Sequence, residues 1–304
     1  MIIVFSGTVL IINTSVVVTN NIDIKPILLN KNIILSLIPE AFTKDIYIKN
    51  FDLIDSTNLR LKKKITSKTF LESNNLCSDF ILYTAEHQTN GKGRGINKHW
   101  ESPYGENLYI SFAWKLTSKY LKSISTLSIK ISQVIIELLT EYHIKNIQFK
   151  WPNDIFVNGK KIAGILIEII KITNDDYAVI CGIGLNVNMD YKATLNNTSM
   201  KNEITSFKLN DCSSQVYLDR NKVLAKLLIK LMDICSHHNY SIDFTMLKEY
   251  NILNYNKAIN KPIKLVINNK EFEAQYLEIR NNGSLKVLID DKVKDIYSVD
   301  KLIL

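Results

Sequence analysis

The sequence predicts an α+β fold, a mixed sheet packed with helices and followed by a small all-β barrel. Three patterns predict it. Strand-like runs in the larger part are mostly joined as hairpins, which argues against a doubly wound parallel sheet. Two long stretches carry apolar residues at helical spacing. After about Ile259 the text changes to short strands separated by turn residues.

Taken in order, "MIIVFSGTVLIINTSVVVTN" reads as a strand or hairpin. It lacks a basic leader, is interrupted by Ser6, Thr8, Asn13, Thr14 and Ser15, and is rich in β-branched residues, unlike a signal or membrane segment. "KDIYIKNFDLI" is strand-like and leads into "DSTNLRLKKK", where Asp55, Ser56 or Thr57 can cap a short helix. "FILYTAEH" and "NLYISFAWKL" follow as strands. Leu127, Ile131, Ile135 and Leu138 mark an amphipathic helix between Leu121 and His143. "IQFKW", "DIFVNGKKIAGILIEI" and "YAVICGIGLNV" are strands, with Asn158-Gly159 as a tight hairpin turn. A second long helix follows Asp219, its apolar face formed by Leu224, Leu227, Leu228 and Leu231. "PIKLVIN", "EFEAQYLEI", "SLKVLID" and "KDIYSV" then alternate with turns at Asn268-Asn269, Asn282-Gly283 and Asp290-Asp291. The expected division is a strand-like extension over 1–33, a larger body over 34–256 and a small barrel over 257–304.

At 304 residues the chain is long enough for a substantial core plus a small domain. A formal net charge of +8 favours anionic partners, although surface lysines explain much of it. Cys77, Cys181, Cys212 and Cys235 form no C-x-x-C pair, so neither a zinc site nor a disulfide framework is expected, and a reducing cytoplasm fits. His237-His238 has no third ligand at a suitable spacing, so no metal site is expected.

Chemistry concentrates in a few stretches. In "HQTNGKGRGINKHW", Gly91, Gly93 and Gly95 let backbone amides approach a ligand, and Lys92 and Arg94 add charge; a basic surface hairpin fits the same stretch. "DSTN" reads locally as a helix cap. "KWPND" is harder to explain as a turn, because Pro152 bends the chain without needing Trp151 beside it. Lys161 alone could be an ordinary hairpin lysine, and "GIGLNVN" a buried strand with close-packed glycines.

Together and in order, "IDSTN", "GKGRG" with the W-x-S-P-x-G-x-N-L-Y-x-S pattern after it, "KWPND", "GKKIAGILIE" and "GIGLNVN" resemble the biotin protein ligase family, from about residue 34 to the end. The resemblance implies a class II synthetase-like catalytic domain with an SH3-like C-terminal domain. It also implies ATP-dependent activation of biotin to biotinyl-5′-AMP, with Mg2+, and transfer to a lysine of a biotin carrier domain. Joining a carboxylate to a triphosphate makes positive charge the main catalytic need. By similarity, Ser56, Thr57, Asn58 and Gln88 surround the ureido end of biotin, and Trp100 walls its aliphatic chain. Gly91, Lys92, Gly93 and Arg94 close over the adenylate. Lys161 binds the carboxylate or α-phosphate, Gly164 and Leu166 offer backbone contacts to biotin, and Asn153, Gly184 and Asn186 sit beside the nucleotide. Arg94, Lys161 and Asp154 are the expected catalytic residues, Asp154 as a buried carboxylate compensated by cations.

Three departures stand out. Lys92 replaces an arginine of the usual Gly-Arg-Gly-Arg, the loop after Gly95 is one residue longer, and "YSVDKLIL" lacks the Gly-Glu and final Arg expected there. The last leaves open whether the small domain meets the nucleotide. The implied partner is the biotin carboxyl carrier protein of acetyl-CoA carboxylase. A sheet edge near 161–170 offers pairing with that carrier or with a second copy. The residues before 34 are too few for a winged helix, so no DNA-binding repressor domain is expected. A lipoate or octanoate ligase would share the fold. A basic nucleic-acid-binding protein would explain the charge, but the basic residues are dispersed and no aromatics interleave with them.

Overall fold

The computed structural model describes residues 3–5, 8–10, 26–67, 79–94, 98–190, 204–210, 217–238, 240–251 and 262–303. The expected boundary at 256/257, Cys77, Cys212 and the loop residues 95–97 lie outside them.

Two short antiparallel strands, β1 (Ile3–Phe5) and β2 (Thr8–Leu10), open the chain. Helices α1 (Lys31–Leu37) and α2 (Glu40–Thr43) precede β3 (Ile46–Ile54), α3 (Thr57–Ile65), β4 (Phe80–Gln88) and β5 (Leu108–Thr117). A 3-10 turn then enters α4 (Ile124–Glu141), followed by β6 (Ile147–Lys150), β7 (Asp154–Val157), β8 (Lys160–Lys171) and β9 (Asp176–Leu185). Three further helices, α5 (Phe207–Asn210), α6 (Arg220–Ser236) and α7 (Phe244–Tyr250), close this part. Strands β3 to β9 form one seven-stranded sheet in the order β3-β4-β5-β9-β8-β7-β6, parallel between β3 and β4 and antiparallel elsewhere. The mixed, hairpin-rich sheet is the one expected.

Both faces of the sheet are covered, and the period of two along each strand decides which residue meets which cover. Phe80, Leu82, Ile110, Phe112, Ile165, Val179, Cys181 and Ile183 join the main core with the apolar stripes of α4 and α6. Ile81, Tyr83, Ala113, Ala178 and Ile180 point the other way and pack with Leu61 and Ile65 of α3. Burial raises the Cys181 and Cys235 thiols far above their ordinary range, so both behave as small core residues.

One boundary needs correcting. The expected extension over 1–33 ends inside α1, and residues from Pro26 onward belong to the main body. Arg220, at the start of α6, is 1% exposed and pairs with Glu86 on β4 at 2.6 Å. The same guanidinium donates to Ile27 O and Asn107 O at 2.9 Å, and Glu86 accepts Leu29 N–H at 2.6 Å. The buried charges are held by backbone groups of the incoming chain, so that chain cannot be a free strand.

Strands β10 (Pro262–Ile267), β11 (Lys270–Ile279), β12 (Leu285–Ile289), β13 (Lys292–Ile296) and β14 (Lys301–Ile303) form a separate antiparallel sheet ordered β13-β12-β11-β10-β14, compatible with an SH3-like domain. Its tight turns carry the expected residues. Asn268, Asn269, Asp290 and Asp291 all have positive φ, as two-residue hairpins require.

Trp151 joins the two parts. It is 2% exposed, and its indole N–H donates to Gly283 O in the β11–β12 turn at 3.0 Å. At φ +81° Gly283 has no room for a side chain, since a Cβ there would stand 2.5 Å from Ser125 O on α4. The tryptophan that a turn did not require is therefore the anchor of the small domain.

Candidate functional site

The covering helix α3 is short, and beyond it the sheet face is open. There the residues that point to the α3 side become small or polar: Ser111 on β5, Gly182 and Gly184 on β9, and Gly164, Leu166 and Glu168 on β8. Gly164, Leu166, Gly182 and Gly184 floor a cavity of about 290 Å3, and Ser111 and Glu168 lie just outside its wall.

One end of the cavity is neutral and polar. Ser56 caps α3, its Oγ accepting Leu59 N–H at 3.4 Å, which places Thr57 and Asn58 in the first turn against the sheet. Gln88 Oε1 accepts the Thr57 N–H at 2.9 Å, and its Nε2 donates to Ser102 Oγ at 3.3 Å. Asn58 lies on Gly182, where a Cβ would come within 2.3 Å of Asn58 Oδ1. Only glycine lets the amide sit so close to the strand.

Two residues further along β9, roughly 6–7 Å away, the floor is a pair of glycines in register, Gly164 and Gly184. The Trp100 indole lies over both: a Cβ at Gly184 would be 2.3 Å from Trp100 Cε2, and one at Gly164 2.9 Å from Trp100 Cζ3. Trp100 is brought there by a narrow hairpin in which Trp100 N donates to Gly91 O and Gly93 N to Lys98 O.

The far end is cationic. Lys161 Nζ is 2.7 Å from Asp154 Oδ1 and 5.3 Å from the centre of the Trp100 ring, a cation–π distance. Lys92, Arg94, Lys98, Lys150 and Lys301 also line the cavity, against two carboxylates, Asp154 and Asp300. Burial lowers the Arg94 pKa, while Asp154 and Asp300 pull it back up. Burial likewise lowers the Lys150 pKa, opposed by Asp154. Arg94 Nη2 also donates to Ser298 Oγ at 2.7 Å, so the glycine loop touches the small domain.

The cavity wall brings together Ser56, Thr57, Asn58, Gln88, Lys92, Gly93, Arg94, Trp100, Asn153, Asp154, Lys161, Gly164, Leu166 and Gly184. Two expected nucleotide contacts are not in that wall. Gly91 serves the hairpin, where a Cβ would stand 2.7 Å from Trp100 O. Asn186 is buried behind the floor, donating to Thr205 O at 2.9 Å and accepting from Asn107 Nδ2 at 3.3 Å. Asp154, expected buried, is partly exposed at 26% of its side chain. Asn153 spends its Nδ2 on Ile165 O at 2.7 Å, clamping β7 to β8.

Sequence reasoning assigned no role to Ser111, Lys150, Gly182 or Glu168, although each stands in a quoted motif, and none to the segment Val299–Leu302 of the small domain. Ser111 and Glu168 had a signal, each being a polar residue interrupting an apolar strand. The small-domain residues had none, because only the docking of that domain brings them to the wall.

The cleft on this mixed sheet is floored by glycines, polar at one end and cationic at the other, an arrangement suited to an anionic ligand with a neutral polar end. The model of the biotin/lipoate A/B protein ligase family matches residues 51–186. Bifunctional ligase/repressor BirA of Salmonella typhimurium is 31% identical over 245 residues, covering 80% of this chain and 69% of the relative. Biotin–[acetyl-CoA-carboxylase] ligase of Mycobacterium tuberculosis is 27% identical over 161 residues, 50% of this chain and 53% of its own. A solved biotin protein ligase of Aquifex aeolicus, in complex with biotin and ATP, shares the fold with a TM-score of 0.61 at 24% identity, covering 84% of this chain and 97% of that one. The chain belongs to the biotin protein ligase family.

Proposed function

We propose that the protein activates biotin with ATP and transfers it to a carrier lysine. The observation that carries this is the polarity of one cavity: neutral hydrogen-bonding groups at Thr57, Asn58 and Gln88, a glycine floor under Trp100, then a cluster of cations. Biotin has the same order, a ureido ring, an aliphatic chain and a carboxylate. A lipoyl or octanoyl acid would leave the neutral polar groups unpaired, which is costly in a buried site.

In the first step a carboxylate oxygen attacks the α-phosphorus of ATP and pyrophosphate leaves, giving biotinyl-5′-AMP. Two anions must approach, and Lys161, fixed by Asp154, stands where it can neutralise both. Lys92, Arg94, Lys150 and Lys301 take the remaining phosphate charge, while Gly184 gives the Trp100 ring its seat on the floor. Ser56 and Leu166 complete the biotin wall. In the second step the carrier amine attacks the acyl carbon and AMP leaves; Asp154 is the carboxylate placed to orient that amine. Among the described residues no three His, Cys, Asp or Glu side chains converge as a metal cage. Mg2+ entering with ATP would be held chiefly by the nucleotide's phosphates, and Asp154 and Asp300 are the carboxylates of the cavity wall that could add a protein ligand.

The carrier is proposed to be the biotin carboxyl carrier protein of acetyl-CoA carboxylase. Homodimerisation is proposed through the outer edge of β8, which from Leu166 to Lys171 pairs with β9 alone among the described strands. Among the described residues no helix is long and apolar enough to cross a membrane.

Pyrophosphate exchange into ATP with Mg2+, comparing biotin, lipoate, octanoate and no acid, tests the reading. Exchange is expected with biotin. Exchange with lipoate or octanoate but not biotin would transfer the site to the other branch of the fold.

A further inference from the structure

Behind the polar end of the cavity runs a chain of hydrogen bonds that ends in an ion pair outside it. Asn58 Nδ2 donates to Glu168 Oε2 at 3.1 Å, and Lys62 Nζ donates to Glu168 Oε1 at 2.9 Å. On its other side the amide accepts from Ser111 Oγ. Ser111 Oγ is also 2.8 Å from Thr57 Oγ1, which is 3.1 Å from Gln88 Oε1. Ser111 is fully buried, and Thr57 and Asn58 are 3% and 5% exposed.

These contacts cannot all be satisfied in any order, because each hydroxyl carries one proton. A carboxylate only accepts, so Glu168 turns the Asn58 NH2 toward itself and leaves Oδ1 facing Ser111. Oδ1 has no proton to give, so Ser111 must supply its own. With that proton committed, Ser111 cannot donate to Thr57, whose own proton goes either to Ser111 Oγ or to Gln88 Oε1 and is spent within the protein in both cases. Thr57 Oγ1 then faces the cavity with lone pairs, and Gln88 Oε1 keeps the Thr57 backbone N–H at 2.9 Å. Reversing the Asn58 amide would turn its NH2 toward Ser111, so that Ser111 would donate to Thr57 and occupy a lone pair otherwise free for the ligand.

We infer that Glu168 is a positioning residue that sets the proton direction along Asn58, Ser111 and Thr57, so that the cavity presents an acceptor to a ligand N–H. This rests on the biotin reading and deepens it: the charge selects acids bearing a cyclic urea N–H. As a mere surface ion pair with Lys62, Glu168 would contribute little to stability and nothing to ligand choice.

The test uses the full chain in biotin-dependent pyrophosphate exchange, with biotin and with analogues in which one or the other ureido N–H is replaced by ring oxygen. Wild type is expected to favour biotin over at least one analogue by about tenfold or more in kcat/KM. In Glu168→Gln the side chain can offer Asn58 either a donor or an acceptor, so the preference should fall below about threefold. The biotin KM should rise about tenfold while the ATP KM holds. Lys62→Met keeps the carboxylate and should keep the preference. An unchanged preference in Glu168→Gln, or a parallel rise in both KM values, overturns the inference while leaving the biotin reading intact. A wild type without biotin-dependent exchange overturns that reading, and the inference with it.

Discussion

Lys161 sits at the meeting point of three features that no single stretch of sequence contains: the Asp154 carboxylate, the Trp100 face and the edge of the glycine floor. Its ammonium is held in place before substrate arrives, which makes a charge donor effective in a transition state. Lys161→Ala is expected to lower the rate of adenylation by roughly 10²–10³; pyrophosphate exchange at saturating biotin and ATP measures it, and a loss under threefold would remove Lys161 from the chemistry. Gly184 offers a steric counterpart. A methyl group there enters the Trp100 ring, so Gly184→Ala is expected to cost about 1–3 kcal/mol of stability and to raise the biotin KM. Denaturant titration and steady-state kinetics read the two effects separately. The motif residues were legible in the sequence because glycines, lysines and Trp100 recur in an ordered pattern. The roles of Ser111 and Glu168, which stand in the same motifs, were not, since their contacts with Asn58 depend on which face of the sheet each residue occupies.

Among the elements, α3 links local sequence to site geometry most directly. Its cap, Ser56, begins the helix and at the same time lines the cavity. Ser56→Ala should destabilise the fold by about 1 kcal/mol and weaken biotin more than ATP. A thermal melt paired with separate KM values checks this; equal effects on both substrates would make Ser56 a cap only. Strands β7 and β8 show how much a hairpin signal can say. Asn158-Gly159 predicts the turn, and positive φ at both residues bears it out. The signal does not say that the register also slips between Ile155 and Phe156, bringing Asp154 opposite Gly164. That slip is set by pairing within the whole sheet. Helix α1 was not read as a helix at all. Its buried contribution is Ile34 alone, which leaves a weak period to detect.

At the scale of the whole molecule, two contacts hold parts together that are far apart in the chain. The Arg220–Glu86 pair secures the segment from Pro26 to the main body, and neither charge reaches water. Arg220→Met leaves Glu86 buried and unpaired, so a loss of about 3–5 kcal/mol is expected; chemical denaturation measures it, and a loss below 1 kcal/mol would mean that the segment is held by other contacts. The second contact is the docking of the small domain through Trp151 and Gly283, which brings Val299–Leu302 to the cavity. The missing Gly-Glu and final Arg had left the role of this domain open, and Lys301 now supplies a cation at the same wall.

By itself the sequence determined the kinds of element, their order, the turns of the small domain and the motif residues, all of which depend on neighbours within a few positions. Side-chain period, capping and turn chemistry are local, so they can be read along the chain. Only the tertiary structure decided that Asn58 is oriented through Ser111 and Glu168, 53 and 110 residues away, and that Arg94 reaches Ser298 across 204. Those contacts arise because sheet order and domain docking bring distant residues into hydrogen-bond range, and no local pattern encodes which of them will meet.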